Sequence, residues 1–112
     1  MRHSQYDRHP GCPVEMCSEI IGGKWKGVVL YHLTDDVLRF NELRRRLTGV
    51  TQRMLTKQLR ELEESGLVVR KVYPEVPPKV EYSLSKKGSS LKPVIRALAK
   101  WGEDHLQQQA KA

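Results

Sequence analysis

The spacing of apolar residues predicts a mostly helical chain with one region of strand. Val14 to Ile21 reads as a short helix opened by Pro13, whose missing N–H would have no helical partner in a first turn anyway. Gly22-Gly23 stops it. Trp25, Val28, Val29, His32 and Leu33 recur at i, i+3, i+4, i+7 and i+8, one face of a second helix. Asp35-Asp36 turns the chain, and Val37 to Phe40 is short enough for an edge strand. Asn41 is placed to cap a third helix that carries Leu43 and Leu47, with Phe40 just outside it. Gly49 suits the left-handed position past that helix. Thr51 can cap a fourth helix with Leu55, Leu59 and Leu62 on one face, and Gly66 closes it.

The period then shortens to two. Leu67 to Tyr73 is rich in β-branched residues, and Val80, Tyr82 and Leu84 alternate with Glu81 and Ser83. Pro74 to Lys79, with three prolines, cannot be regular strand. Two helices joined by a tight glycine-containing turn make a helix-turn-helix, and a hairpin directly after it makes a winged helix. A loop, Ser85 to Gly88, leads to a last helix carrying Leu91, Val94, Ile95, Leu98, Trp101 and His105 at helical spacing. The expected class is α+β, mostly α: a winged helix-turn-helix with extra N- and C-terminal helices. Its organisation is an arm over 1–11, the domain over 12–106 and a polar tail over 107–112 that frays. The stripe Leu91, Val94, Ile95, Leu98 and Trp101 is longer than one small core needs. It is expected to serve a dimer interface as well as the core, with Trp25 joining it.

Composition narrows the function. At 112 residues, with 38% hydrophobic, the chain is one domain, which excludes a multidomain enzyme and a repeat array. Twenty Lys and Arg against 13 Asp and Glu leave a net charge of +7, and the pI is near 9.7. That is the footprint of a nucleic-acid binder, although a basic protein can also meet an acidic membrane. No run approaches the ~18 apolar residues of a membrane span, and the N-terminus carries no apolar secretory stretch. Two cysteines are too few for a disulfide scaffold. These points give a cytoplasmic location, no membrane contact, and double-stranded DNA as the partner.

The second helix of a helix-turn-helix lies in the major groove with its N-terminal residues toward the base edges. Its non-core face here carries Thr51, Gln52, Arg53, Thr56, Lys57 and Arg60. Arg can bind guanine and Gln adenine through paired hydrogen bonds. Lys57 and Arg60 are better placed for phosphates, and Thr51 divides between capping and a phosphate contact. Arg44, Arg45 and Arg46 span almost a full turn, so they cannot all face DNA. Arg70 and Lys71 on one wing strand and Lys79 near the tip are suited to the negative potential of a minor groove. Pro77-Pro78 stiffens that tip. The competing readings are a solvated helix face and a rigid turn kept soluble by its lysine. Glu61, Glu63 and Glu64 end the helix away from its groove-facing start, and the sequence gives them no role beyond solubility or partner contacts.

Cys12 precedes a helix start and lies among His9, Arg8 and, further off, Lys24 and Lys26, an environment that favours the thiolate. The alternative is a small buried hydrophobe. Cys17 reads as a packed residue of the core or dimer seam, or as a resolving partner. His3, His9, Cys12 and Cys17 match no usual zinc spacing, so no metal is expected. Gly22-Gly23 and Gly49 lack the spacing of a phosphate loop, and no Ser-His-Asp or paired-carboxylate arrangement can be argued. No enzyme activity and no cofactor are expected.

Four segments carry a resemblance. CPVEMCSEIIGGKWK (12–26), RFNELRRRL (39–47), RMLTKQLRELEESGLVVR (53–70) and VPPKVEYSLSKKG (76–88) resemble the HxlR-type family of bacterial winged-helix transcription regulators. The resemblance implies a homodimer, joined through its N- and C-terminal helices, that binds DNA near promoters. It also implies that Cys12 stands where several members respond to electrophiles or oxidants; Cys17 is not a fixed part of the pattern. The leading expectation is a sequence-specific regulator on an inverted-repeat site. The alternatives are a non-specific architectural DNA-binding protein and a winged helix used for protein contacts.

Overall fold

A computed structural model of the protein describes residues 11–111. The arm expected for 1–11 lies, apart from Gly11, outside them. The chain runs through α1 (Pro13–Ile21), α2 (Lys26–His32), α3 (Phe40–Arg46) and α4 (Gln52–Glu64). The strands β1 (Val68–Tyr73) and β2 (Lys79–Leu84) follow, then α5 (Lys86–Ser89) and α6 (Lys92–Lys111). This is the winged helix-turn-helix expected: mostly helix, with one two-stranded antiparallel sheet.

One core unites these elements. Val29, Leu30 and Leu33 come from α2 and its end, Leu43 and Leu47 from α3 and its end, and Leu55, Leu59 and Leu62 from α4. Leu67, Val68, Tyr82 and Ile95 close it. Gly49 and Gly66 end α3 and α4 with φ of +89° and +76°, a region that costs glycine nothing. Thr51 Oγ1 accepts from the Met54 N–H at 3.1 Å and caps α4 as expected.

Several local expectations are corrected. The third helix starts at Phe40, with Arg39 rather than Asn41 at the cap. Glu42 reaches back to accept from the Arg39 N–H at 2.9 Å, and Phe40 packs against the core from inside the helix. Because the chain turns helical there, the expected strand over 37–40 shrinks to one bridge, Leu38 with Tyr82. On α2, Leu30 is buried and Val28 is exposed, so the buried face is rotated from the one expected. The loop Ser85 to Gly88 is largely the short helix α5, capped by Ser85, whose hydroxyl accepts from the Gly88 N–H at 2.9 Å. Residues 107–111 continue α6 instead of fraying. Of the stripe expected to serve both core and interface, Trp25 and Ile95 lie in the protomer's own core, 7% and 3% exposed.

The strand register divides the wing between two faces. Val68, Arg70 and Val72 stand opposite Leu84, Tyr82 and Val80; Val69, Lys71 and Tyr73 stand opposite Ser83, Glu81 and Lys79. Alternate side chains leave opposite faces of a strand, so the first set looks toward α4 and the second away from it.

Gly88 brings α5 against the start of the wing. A Cβ there would lie 2.0 Å from the Leu67 carbonyl oxygen, a backbone atom that also accepts from the Ser85 N–H at 2.9 Å. Gly88→Ala is therefore expected to cost about 1–3 kcal/mol of stability. Urea unfolding would show it as a lower midpoint; an unchanged midpoint would mean that α5 is not held at this contact.

Candidate nucleic-acid interface

Thirteen residues make α4 about 20 Å long. With its three leucines buried, the opposite surface gathers Gln52, Arg53, Thr56, Lys57 and Arg60. Glu61 and Glu64 border the same surface at the far end. Among the described residues, Arg53, Lys57 and Arg60 have no carboxylate within 4 Å, whereas five other cations do. The positive charge of α4 is therefore free to meet an outside anion. Two of the hydroxyls are partly committed: Thr51 accepts at the cap, and Thr56 donates to the Gln52 carbonyl at 2.8 Å. Thr51 keeps its own proton for a phosphate, so capping and contact are compatible in one side chain.

A cleft of about 560 Å³ separates α4 from the wing. Gln52, Thr56, Arg60 and, at its far end, Glu63 line it from α4, Arg70 and Tyr82 from the strands. Arg70, like Arg60, has no carboxylate within 4 Å among the described residues. The wing cations read together from the sequence are thus separated: Arg70 faces α4, while Lys71 and Lys79 lie on the outer face. On that outer face the Tyr73 hydroxyl, donating to Glu81 at 2.7 Å, holds the Glu81 carboxyl below the ordinary carboxylate range; partial burial opposes it and the Lys79 charge assists it.

The acidic end of α4 also has a role that the sequence did not show. Glu61 pairs with Lys26 at 2.7 Å and ties α4 to α2. That hydrogen bond lowers the Glu61 carboxyl pKa. Of the three consecutive arginines, Arg46 is tied to Asp36 at 3.1 Å, and Arg44 and Arg45 are exposed. The pairing of Lys26 with Glu61 spans 35 positions, and no local pattern announces it.

Cys12 and Cys17 are unbonded and half-buried, and both line a small apolar cavity with Met16, Ile20 and Leu91. Cys12 occupies the N-cap of α1. Among the described residues no cluster of three or more His, Cys, Asp or Glu could hold a metal; His3 and His9 lie outside them. No helix among them is long and apolar enough to cross a membrane. Of the residues expected at a dimer seam, Val94, Leu98 and Trp101 are exposed and Leu91 is half-buried against the core. Leu106, which sequence reasoning missed, is also exposed; it directly follows His105, the last residue of the stripe that was read. His105 stacks on Trp101 with ring centroids 5.0 Å apart.

The HxlR-like helix-turn-helix family model matches residues 20–110. The chain belongs to the HxlR-like helix-turn-helix family. It is 54% identical over 100 residues, 89% of this chain and 80% of the relative, to YybR, an HTH-type transcriptional regulator of Bacillus subtilis (strain 168). Among solved structures, the redox regulator HypR in its reduced form superimposes with a TM-score of 0.83 at 50% identity, covering 90% of this chain and all of that one. Its oxidised form gives 0.80 at 56%, covering 83% and 96%. As an HxlR-type protein the chain is a DNA-binding transcriptional regulator of the helix-turn-helix type.

His32, half-buried at the end of α2, has its pKa lowered, first by burial and then by the Arg46 charge. Above about pH 7 neither the folded nor the unfolded chain protonates it, so it leaves stability level there. Below about pH 6.5 the unfolded chain takes up a proton that the folded chain resists, and stability falls as pH falls. Urea unfolding at several pH values is expected to show His32→Gln with a shallower acid loss than the parent. Equal losses would remove His32 as a cause.

Proposed function

We propose that this HxlR-type regulator works in the cytoplasm as a homodimer on an inverted-repeat promoter site. In this reading α4 enters the major groove, the wing lies at the adjacent minor groove, and a change at Cys12 alters affinity. One observation carries it: the row Gln52, Arg53, Lys57 and Arg60 opposite the buried leucines, with Arg70 facing it across the cleft. A phosphodiester strand between a major and a minor groove would pass through that cleft, so Arg60 and Arg70 would meet phosphates from two sides. Gln52 and Arg53, in the first turn, would reach base edges.

The dimer reading rests on apolar surface that one protomer leaves uncovered. Val94 is 40% exposed, Leu98 54% and Trp101 69%, and α1 buries none of its nine residues. Two-fold pairing through α1 and α6 would set two recognition helices about one DNA turn apart, or a multiple, which calls for an inverted repeat.

Fluorescence anisotropy on an upstream intergenic duplex and a scrambled one, at one stated salt concentration, tests the reading. A preference of ~10³ or more is expected. Arg53→Ala is expected to cost about 1–3 kcal/mol and to relax choice at one base pair. Arg60→Ala should weaken all sequences alike and lower the salt slope by about 0.9. Equal binding to every duplex, with no motif from a random pool, would favour an architectural role instead.

The Cys12 reading is supported by its half-buried place at the N-cap and by the redox regulator among the similar structures. A peroxide takes a thiolate to a sulfenic acid with loss of hydroxide, and a second thiol closes a disulfide with loss of water. Cys17 lies five helical positions on, a rise of about 7.5 Å, beyond the ~6.8 Å between disulfide-linked Cα atoms. The second thiol would therefore come from the other copy of the chain. Cys12→Ser should bind the operator as the parent does and keep doing so in peroxide. If that variant still loses binding on oxidation, Cys12 is not the sensor.

A further inference from the structure

Four side chains meet on the outer face of the wing. Lys71 stands opposite Glu81, and Tyr73 opposite Lys79. The Lys71 and Lys79 ammonium groups each lie 4.7 Å from the centroid of the Tyr73 ring. The Tyr73 hydroxyl donates to Glu81 Oε1 at 2.7 Å, and Glu81 Oε2 is 3.7 Å from Lys79 Nζ.

Taken one by one, these contacts are ordinary. Together they pose a question of charge. Two ammonium groups drawn to one ring repel each other, and one carboxylate neutralises only one of them. The cluster keeps a net positive charge. A ring face attracts cations through its quadrupole, and the hydroxyl bond to Glu81 sets the angle at which the ring presents that face. A free lysine must give up most of its rotamer freedom on binding; one already resting on a ring gives up less. Two cations held together against their own repulsion suit an anion that touches both, and the polyanion in question is the DNA backbone. The same logic explains Glu81: a negative charge on a DNA-facing hairpin weakens binding directly, but here it anchors the ring.

We infer that Tyr73 is a positioning residue of the wing, whose ring and hydroxyl hold Lys71 and Lys79 ready to take neighbouring phosphates of the duplex. The inference rests on the DNA-binding reading above. It assigns the outer face of the wing to the phosphates and leaves Arg70 to the cleft.

The test is a salt titration of binding to a duplex that the parent chain itself selects from a random pool. The variants are Tyr73→Leu, Tyr73→Phe, the double variant Lys71→Ala with Lys79→Ala, and the triple variant that adds Tyr73→Leu to that pair. Tyr73→Leu is expected to weaken binding roughly tenfold. It should lower the slope of log affinity against log salt toward that of the lysine pair variant, by up to about 1.8 for two phosphates. Tyr73→Phe, which keeps the ring, should retain most of the parent slope. In the chain lacking both lysines, Tyr73→Leu should change affinity by less than about twofold, since nothing is left to position. A parent-like slope in Tyr73→Leu overturns the inference, and so does an equal loss with and without the lysines. A role confined to folding would lower the unfolding midpoint and leave the slope alone. A parent chain whose duplex binding ignores both salt and Arg60→Ala overturns the DNA reading itself, which separates the two failures.

Discussion

Leu55, Leu59 and Leu62 fix the rotation of α4 about its own axis. Each is at most 1% exposed, and fully burying such a side chain is worth about 1.5–3 kcal/mol. An exposed ion pair is worth at most about 1 kcal/mol, so no arrangement of surface charge could turn the helix against them. With the leucines inside, residues 52, 53, 57 and 60 must look outward. The capping Thr51 and the left-handed Gly49 fix where that row begins. The row is thus a consequence of packing: the residues proposed to meet DNA are those that the core does not claim.

The wing extends the same principle to a sheet. Its register places Tyr82 and Arg70 toward α4 and Tyr73, Lys71 and Lys79 away from it. Tyr82 is buried, and its backbone exchanges two hydrogen bonds with Leu38, at 3.0 and 2.8 Å. That bridge carries the hairpin onto the segment leading into α3. The wing is therefore held to the helix-turn-helix from within, and its outer face needs no packing role. A cationic cluster can occupy it without disturbing the fold. A one-residue slip would exchange the faces, burying lysines and exposing Tyr82, so the register is strongly determined.

The elements with a clear period were legible in the sequence. The leucine face of α4, its Thr51 cap, the glycine stops and the alternation of β2 all stand as read. What escaped was decided by contacts distant along the chain or by competing local signals. Asn41 is a good cap by type, yet Glu42 is three residues from Arg39 and sets the cap two positions earlier. On α2 the seven helical residues are too few for a periodic face to be fixed without its neighbours, so Leu30 and Val28 exchange places. Trp25 and Ile95 were read with the exposed stripe because helical spacing reports a shared face, not the partner that covers it. The outward placement of Gln52, Arg53, Lys57 and Arg60 on α4 was legible because they are the complement of a leucine pattern. The opposite facing of Arg70 and Lys71, and the shared face of Lys71 and Tyr73, follow from strand alternation; the approach of Lys79 to Tyr73 follows only once the hairpin register is known. Lys26 with Glu61 depends on tertiary placement and leaves no local trace.

The protomer divides unequally between what its core holds and what it leaves over. The helix-turn-helix and wing are fixed by buried leucines, whereas α1 buries nothing fully and α6 commits only Ile95. A change in how α1 and α6 meet a partner would therefore leave the reading surface of each protomer intact. It would alter only the spacing and angle between two such surfaces. Affinity for a two-fold site depends steeply on that spacing, since both helices must enter their grooves together. Cys12 stands at the first turn of the least committed helix, beside a cavity shared with Leu91 at the approach to α6. Chemistry at that thiol needs only to shift weakly held apolar contacts, not to unfold a core. In the proposed reading, a sensor placed there would change binding without disturbing the packing that holds α4 and the wing.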